Sequence, residues 1–231
     1  MTSLLTIQHD SRGKLLKPLH NVLPLINDLF AERYAVVTTE THGDYMLLPW
    51  KVRFLPRLGM AEARRDVIKY ALENREDNYF YCDLDRLIYW AKHHPDELRE
   101  ATQANRPALD YVIIGRKYLA MQSHPLFQLE TEKVMNMIVK HKAGLDMDVF
   151  AGARHMSYQA AKWISEQSTA NHGAQDIEWP LIAKENGGLI GYVEVSGLAY
   201  ESGMLDIQRP KDEDFDLRMT NLHSVLEFLS G

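Results

Sequence analysis

The stretch YFYCDLDRL, residues 79–87, changes character in its middle. Three aromatic residues and a cysteine are typical of a buried β-strand. Asp83 and Asp85 follow at alternate positions, and carboxylates spaced in this way near a strand end can aim at one divalent ion. Mg²⁺ or Mn²⁺ would share such a site with phosphate oxygens. The alternative is a strand that meets solvent, with an aspartate capping the next helix.

Short apolar runs alternate with longer helical patterns through the first half of the chain. This alternation predicts an α/β fold with a mostly parallel sheet covered by helices on both faces. Ligands bind beyond the carboxyl ends of the strands in such sheets, so the residues after each run should share one rim. Strands are predicted at residues 3–8, 35–39, 51–55, 79–83 and 110–115, and helices at 14–32, 60–75 and, as one or two helices, 84–104.

The second half is less regular. Helices are predicted at 128–142, 157–167 and 177–186, and strands at 148–151 and 189–195. We expect one domain over residues 1–203, followed over 204–231 by a charged linker (PKDEDFD, 210–216) and a short amphipathic helix. Its apolar stripe would dock on the body or on a second subunit as a homodimer, and it consists of Leu222, Val225, Leu226 and Leu229.

The totals restrict the function classes. The 231 residues carry 32 acidic and 26 basic side chains, and a net charge of −6 does not favour a nucleic-acid partner. No apolar stretch approaches the roughly 18 residues of a membrane span, and the N-terminus lacks the pattern of a signal peptide. The single cysteine, Cys82, excludes an internal disulfide and a cysteine-based zinc cluster. We therefore expect a cytoplasmic protein.

Arg64 lies in the middle of an apolar helix face. In the helix predicted at 60–75, Val67, Ile68, Ala71 and Leu72 share one face, and Arg64 precedes Ile68 by one turn. A buried guanidinium must meet an anion, because an unpaired buried charge is too costly. Two interpretations stay open: a contact to a pyrophosphate near the helix N-terminus, and a structural ion pair, with Asp83 as one candidate partner.

Two later segments carry further candidates. Asp176 and Glu178 precede or open a helix, where acids are favoured as caps and first-turn residues, although a general base could occupy the same place. In FAGARHMS, 150–157, small residues such as Gly152 let the backbone approach a ligand closely. Arg154 and His155 follow Gly152 and are candidate acceptor contacts, and Ser157 is a candidate N-cap.

In this order, the segments resemble those of GT-A glycosyltransferases, the nucleotide-diphospho-sugar transferase superfamily. The resemblance covers roughly residues 3–200. It rests on an opening strand, the Arg-bearing helix GMAEARRDVIKYALE (59–73), the strand end CDLDR (82–86), and then FAGARHMS (150–157) and GAQDIEWPLIAKENGG (173–188). It implies a single Rossmann-like GT-A domain with a mostly parallel mixed sheet and a short C-terminal helix.

The resemblance also implies roles for the candidates. Asp83 and Asp85 would bind a divalent metal, Mn²⁺ or Mg²⁺, that bridges the donor diphosphate. Arg64 matches a donor-contacting arginine in an Ala-Arg-Asn pattern that reads Ala63-Arg64-Arg65 here, so Arg65 departs from it. Asp176 or Glu178 would be the base of an inverting enzyme. The segments that would flank the nucleoside contribute His9, Asp10, Glu40 and Asp44.

A departure concerns the third metal ligand. Many metal-dependent relatives use a late histidine, but after His172 this chain has only His223, in the presumed terminal helix. The sequence therefore predicts a metal-dependent glycosyltransferase that moves a sugar from a nucleotide-diphosphate donor to a hydroxyl acceptor, with the third ligand open. The alternatives are a sugar nucleotidyltransferase and a non-catalytic nucleotide-sugar binding module. The first is considered because SRGKLLKPL (11–19) weakly resembles the Gly-Arg-Pro-Leu signature of that class.

Overall fold

The computed structural model describes residues 2–56, 59–103, 109–201 and 211–230. Within them, seven strands and nine α-helices alternate. The strands are β1 (Thr2–Gln8), β2 (Arg33–Thr38), β3 (Lys51–Leu55), β4 (Asn78–Cys82), β5 (Tyr111–Arg116), β6 (Ala153–Ser157) and β7 (Ile190–Val195). The helices are α1 (Leu16–Leu29), α2 (Met60–Leu72), α3 (Leu84–His93), α4 (Pro95–Gln103), α5 (Tyr118–Gln122), α6 (Leu126–Ala143), α7 (Tyr158–Gln167), α8 (Gln175–Glu185) and α9 (Lys211–Phe228).

One mixed sheet runs through the molecule in the order β3-β2-β1-β4-β6-β5-β7. β1 pairs in parallel with β2 and β4, β2 with β3, and β5 with β7. Only β6 is antiparallel to both of its neighbours, β4 and β5. The carboxyl ends of the other six strands therefore meet at one edge, and β6 begins at that edge. The predicted rim, and the mostly parallel sheet, are confirmed.

Two hydrophobic clusters cover the two faces of the sheet. On one face, side chains of α1, α3 and α4 pack against strand residues such as Leu4 and Phe80. On the other, α2, α6, α7, α8 and α9 pack against residues such as Leu5 and Tyr81. Because neighbouring strand residues point to opposite faces, Tyr79, Tyr81 and Asp83 lie on the α2 side. The structure is thus a three-layer α/β domain.

The structure decides one predicted element and corrects another. Of the one or two helices expected at 84–104 there are two, because Pro95 cannot supply the N–H that would continue α3 and starts α4 instead. The strand expected at 148–151 is wrong: these residues form a loop, and the strand is β6. The loop is anchored at Asp148, whose carboxylate accepts bonds from Arg116 Nε and Nη2 at 2.8 Å each.

The C-terminal helix starts earlier than predicted. Residues 211–216, expected as a charged linker, form the first turns of α9. The expected division of the chain between residues 203 and 204 lies outside the described residues. Val225 is fully buried, and Leu222 and Leu229 pack against the same cluster, whereas Leu226 is 43% exposed. The stripe is used within the chain, and the homodimer expected from it stays a prediction.

Candidate active site

Asp83 directly follows β4 and leads into α3. Its backbone N–H donates to the Gly152 carbonyl at 3.2 Å, which ties the end of β4 to the start of β6. Although Asp83 occupies the N-cap position of α3, its side chain makes no capping hydrogen bond to that helix. The carboxylate instead points toward α2, and its side chain is 24% exposed. The simple explanation of this aspartate as a helix cap is therefore wrong.

Arg64 of α2 is the buried partner of Asp83. Its Nη2 donates to Asp83 Oδ2 at 2.8 Å and to Oδ1 at 3.2 Å, and its Nε donates to the Tyr81 hydroxyl at 2.9 Å. Burial disfavours the guanidinium charge, but the neighbouring Asp83, Tyr81 and Asp176 hold the pKa of Arg64 well above its ordinary value. Of the two interpretations left open by the sequence, the ion pair with Asp83 is the one observed.

Asp176 joins the same group from the first turn of α8. Its Oδ1 accepts from Arg64 Nη1 at 2.9 Å and from Arg154 Nη2 at 2.6 Å. Arg154 comes from β6 and is 2% exposed, with its guanidinium 5.1 Å from the centroid of the Trp179 ring. Two guanidinium groups thus balance two carboxylates. We call Arg64, Tyr81, Asp83, Arg154 and Asp176 the Arg64 cluster.

Tyr81 is the cluster member that the sequence did not single out. Its hydroxyl donates a hydrogen bond to Asp83 Oδ1. Burial keeps the pKa of Tyr81 well above its ordinary value, so the hydroxyl retains the proton that it donates. A signal was available: Tyr81 precedes Asp83 by two positions, and in a strand this spacing puts both side chains on one face.

Asp85 lies in the first turn of α3, beside Asp83. Burial raises the pKa of its carboxyl, the charge of Arg86 opposes that rise, and the charge of Asp83 adds to it. Arg86 Nε lies 3.6 Å from Asp85 Oδ2, and Arg86 Nη1 donates to the Ala199 carbonyl at 3.3 Å. Asp83 and Asp85 are thus two neighbouring carboxylates, and Arg86 neutralises the charge of Asp85 only in part. Such a pair favours an additional cation.

Gly152 makes the close approach of β6 to Asp83 sterically feasible. Its φ is +79°, and a Cβ at this position would lie 2.6 Å from Asp83 Oδ2. The sequence predicted that a glycine here lets the backbone approach a ligand. The observed approach is to the carboxylate of Asp83.

The residues expected around the nucleoside lie after β1 and β2. His9 Nδ1 and Thr38 Oγ1 are 2.8 Å apart, which joins the loop after β1 to the end of β2. Asp10 is 6% exposed, and its carboxylate accepts from the backbone N–H groups of Lys14 at 3.0 Å and Leu15 at 2.8 Å. Asp10 therefore holds the turn before α1, within the 11–19 segment. Glu40 and Asp44 are exposed in the loop after β2.

The structure separates two other candidates from the cluster. Glu178 is 5% exposed, and its carboxylate accepts from Ser168 Oγ at 2.5 Å and from the N–H groups of Thr169 at 2.7 Å and Ala170 at 2.9 Å. It holds the loop before α8. His155 follows Arg154 in β6 and so faces the other side of the sheet, where it lines a cavity of about 210 Å³ with Glu97 and Lys117.

Among known proteins and solved structures, only solved structures match the chain. No protein-family model matches the chain, and no curated protein matches it. Glucosyl-3-phosphoglycerate synthase of Mycobacterium tuberculosis matches with a TM-score of 0.65 and 14% identity, over 100% of this chain and 81% of that one. A structure of that enzyme with Mn²⁺, UDP-glucose and phosphoglyceric acid matches with a TM-score of 0.63 and 13% identity, over 100% and 80%. Its UDP complex gives a TM-score of 0.62 and 13% identity, also over 100% and 80%.

The chain has a GT-A fold. At these identities the likeness is one of fold, and the predicted fold class is confirmed. Within the described residues, no helix combines the length and the apolarity needed to cross a lipid bilayer.

The acidic pair of this GT-A domain fits a divalent ion of limited protein ligation. Asp83 and Asp85 supply the oxygen ligands that Mg²⁺ and Mn²⁺ prefer. In the part of the chain that the structure describes, no three His, Cys, Asp or Glu side chains form a metal-binding group. Mg²⁺ is commonly held by one or two carboxylates together with substrate phosphates and water, and the acidic pair matches that pattern.

Proposed function

We propose that this protein is a divalent-metal-dependent glycosyltransferase that moves a sugar from a nucleoside-diphosphate donor to a hydroxyl acceptor. The observation that carries the proposal is the pair Asp83 and Asp85 at the rim of a GT-A sheet, with the carboxylate of Asp83 held by buried donors and not used as a helix cap. The solved neighbours support the substrate class, because they were crystallised with UDP, UDP-glucose and Mn²⁺.

In this proposal Asp83 and Asp85 hold the metal at the carboxyl end of β4. A bound divalent ion would neutralise charge that develops on the leaving nucleoside diphosphate. His9, Glu40 and Asp44 flank the nucleoside from the two neighbouring loops. Arg64 is 3% exposed and donates from all three of its nitrogens to protein groups, so we assign it to holding Asp83 and not to contacting the diphosphate.

The acceptor candidates lie on β6 and directly before it. Arg154 connects to Asp83 through Asp176 and Arg64, whereas His155 faces the other side of the sheet. We therefore place Gly152 and Arg154 near the reacting groups and His155 away from them. Of the two acidic candidates for a base, only Asp176 lies in the Arg64 cluster. If the reaction inverts the donor carbon, Asp176 is the base of the proposal. Glu178 holds the loop 168–170.

The proposal is tested by titrating UDP, GDP, ADP and dTDP into the protein by calorimetry, with and without Mn²⁺. We expect one diphosphate to bind and Mn²⁺ to strengthen its binding, because two carboxylates need phosphate oxygens to complete the coordination of the ion. The Asp83→Ala/Asp85→Ala variant should lose the Mn²⁺-dependent part. Transfer from the corresponding sugar nucleotide is then assayed against hydroxyl acceptors.

The matched control is Asp28→Ala/Asp146→Ala, which removes the same charge from exposed carboxylates that pair with Arg99 and Lys140. It should bind nucleotide like the wild-type protein. Absence of binding by every nucleotide, with and without Mn²⁺, refutes the proposal. Binding without donor hydrolysis or transfer indicates a non-catalytic module, and pyrophosphate release from a nucleoside triphosphate and a sugar phosphate indicates a nucleotidyltransferase.

A further inference from the structure

Three buried groups form a closed triangle behind the rim. Arg64 Nε donates to the Tyr81 hydroxyl at 2.9 Å, the hydroxyl donates to Asp83 Oδ1, and Arg64 Nη2 donates to both oxygens of Asp83. Tyr81 is fully buried and Arg64 is 3% exposed. No water is needed to complete this triangle, since each side is a direct hydrogen bond.

The chemistry of the groups fixes the direction of every bond. A guanidinium has donors and no acceptor, so the Tyr81 oxygen must accept the hydrogen bond from the Arg64 Nε–H. The single proton of the hydroxyl is then left for Asp83. A carboxylate held by two donors that are themselves buried and bonded cannot change rotamer without breaking charge-assisted bonds.

The triangle treats the two oxygens of Asp83 differently. Oδ1 accepts from both Tyr81 and Arg64, whereas Oδ2 accepts only from Arg64 among the described residues. A carboxylate oxygen has two lone pairs, so Oδ2 retains one for a further partner. Oδ2 is also the atom beside Gly152: a Cβ there would lie 2.6 Å from it, so any larger residue would crowd this oxygen.

We propose that Tyr81 is a positioning residue for the metal site: together with Arg64 it orients Asp83 so that Oδ2 is presented to a divalent ion before the ion arrives. The inference rests on the proposed function and deepens it, because it names the residue that sets metal affinity without touching the metal. Groups that hydrogen-bond to a metal ligand without touching the metal typically change the affinity for the metal about 10- to 100-fold when they are mutated.

The test compares Tyr81→Phe with Tyr79→Phe. Both tyrosines are fully buried on the same face of β4, and Tyr79 accepts a bond from the Glu76 N–H at 3.4 Å, away from the acidic pair. Mn²⁺ affinity is measured from the electron paramagnetic resonance signal of free Mn²⁺, in the absence and presence of UDP. We expect Tyr81→Phe to weaken Mn²⁺ binding about tenfold or more, and Tyr79→Phe to bind like the wild-type protein.

Thermal unfolding of both variants separates positioning from general loss of stability. If Tyr81→Phe binds Mn²⁺ like the wild-type protein while Asp83→Ala does not bind it, Tyr81 is structural only and the inference is overturned. Equal weakening in Tyr79→Phe and Tyr81→Phe overturns it as well. If the wild-type protein itself binds no Mn²⁺, the metal-dependent function fails first, and the inference falls with it.

A second variant keeps the test decisive if Tyr81→Phe does not fold. Arg64→Lys retains the buried charge but lacks the Nε–H that fixes the direction of the Tyr81 hydroxyl. We expect it to weaken Mn²⁺ binding in the same direction. An unchanged Mn²⁺ affinity in folded Arg64→Lys overturns the inference, because the triangle would then be broken without consequence for the metal.

Discussion

Gly152 shows how one missing side chain can serve a neighbour. Its left-handed backbone, with φ at +79°, costs an L-residue about 1–2 kcal/mol, and an added Cβ would also lie 2.6 Å from Asp83 Oδ2. We expect Gly152→Ala to lower the free energy of unfolding and to weaken the binding of Mn²⁺ with nucleotide. Chemical denaturation and calorimetric titration measure the two effects.

Gly187→Ala is the matched control. Gly187 has a φ of +83°, and a Cβ there would have nothing within 4 Å. This variant should pay a similar backbone cost and bind Mn²⁺ normally. If both glycine variants weaken metal binding alike, the contact with Asp83 has no specific role.

Glu178 illustrates a buried acid with a structural task. Replacing it by glutamine removes the charge that four N–H and O–H groups of residues 168–170 approach, and we expect a loss of about 1–3 kcal/mol in the free energy of unfolding. Hydrogen exchange at the Thr169 and Ala170 amides should become faster. Glu185→Gln, on an exposed position of the same helix, should change neither quantity. Unaltered exchange in Glu178→Gln would contradict this role.

The sequence allows these residues to be picked out as candidates, but it does not predict which residues they contact. Helical periodicity was enough to place Arg64 on the buried face of α2. The free-energy cost of burying an unpaired charge was enough to require an anion beside it. That Asp83 supplies this anion depends on where β4 ends relative to α2, which is a tertiary fact. Asp176 and Arg154 could not be paired in advance, because 22 residues and a helix separate them.

At the scale of elements, β6 was the hardest to predict. Its sequence ARHMS carries an arginine and a histidine, so it lacks the apolar pattern of a strand. It is nevertheless buried, because Arg154 pairs with Asp176 and stacks near Trp179. The neighbouring residues 148–151 are more apolar and looked like the strand. The local hydrophobic pattern does not predict this strand, because its buried arginine is stabilised by a charged partner and not by a hydrophobic core.

The helix α9 is part of the core and contacts the segment that leads into α8. Asn221 packs against Gly173, and Ser224 Oγ accepts from the Ala174 N–H at 3.3 Å. Val225 is fully buried, so Val225→Ala should cost about 1–3 kcal/mol in the free energy of unfolding measured with urea. Leu226→Ala, at the next and exposed position, should stay within about 0.5 kcal/mol of the wild-type protein. Similar losses of unfolding free energy in the two variants would contradict the burial of the Val225 side of α9 in the core.

At the scale of the whole molecule, His124 makes folding sensitive to acid. Burial, and then the charges of Arg86 and Arg116, lower its pKa to about 3, while the Ala120 carbonyl and Asp148 oppose the shift. The unfolded chain binds a proton near the ordinary value of about 6.5, so the unfolded state is favoured as pH falls. Stability should therefore decline by about 1.4 kcal/mol per pH unit, from this residue alone, between about 6.5 and about 3.

The measurement is urea denaturation at several pH values for the wild-type protein and for His124→Asn, which can still donate to the Ala120 carbonyl. Carboxylates titrate in both proteins, so the informative quantity is the difference between their slopes. The variant should show the shallower decline below pH 6.5. Parallel slopes would mean that His124 is protonated in the folded protein.

The Arg64 cluster also sets an order of events during synthesis. Arg64 and Asp176 are 112 positions apart, and a chain made from its N-terminus displays Arg64, Tyr81 and Asp83 long before β6 and α8 exist. Contacts of such sequence separation form late, since a long loop must close before they are gained. A ribosome-bound chain that has exposed only its first half carries the acidic pair without Arg154 or Asp176. The complete cluster is thus a late product of translation: in stalled chains of increasing length, the ion pairs of Asp176 with Arg64 and Arg154 would form only after α8 has emerged.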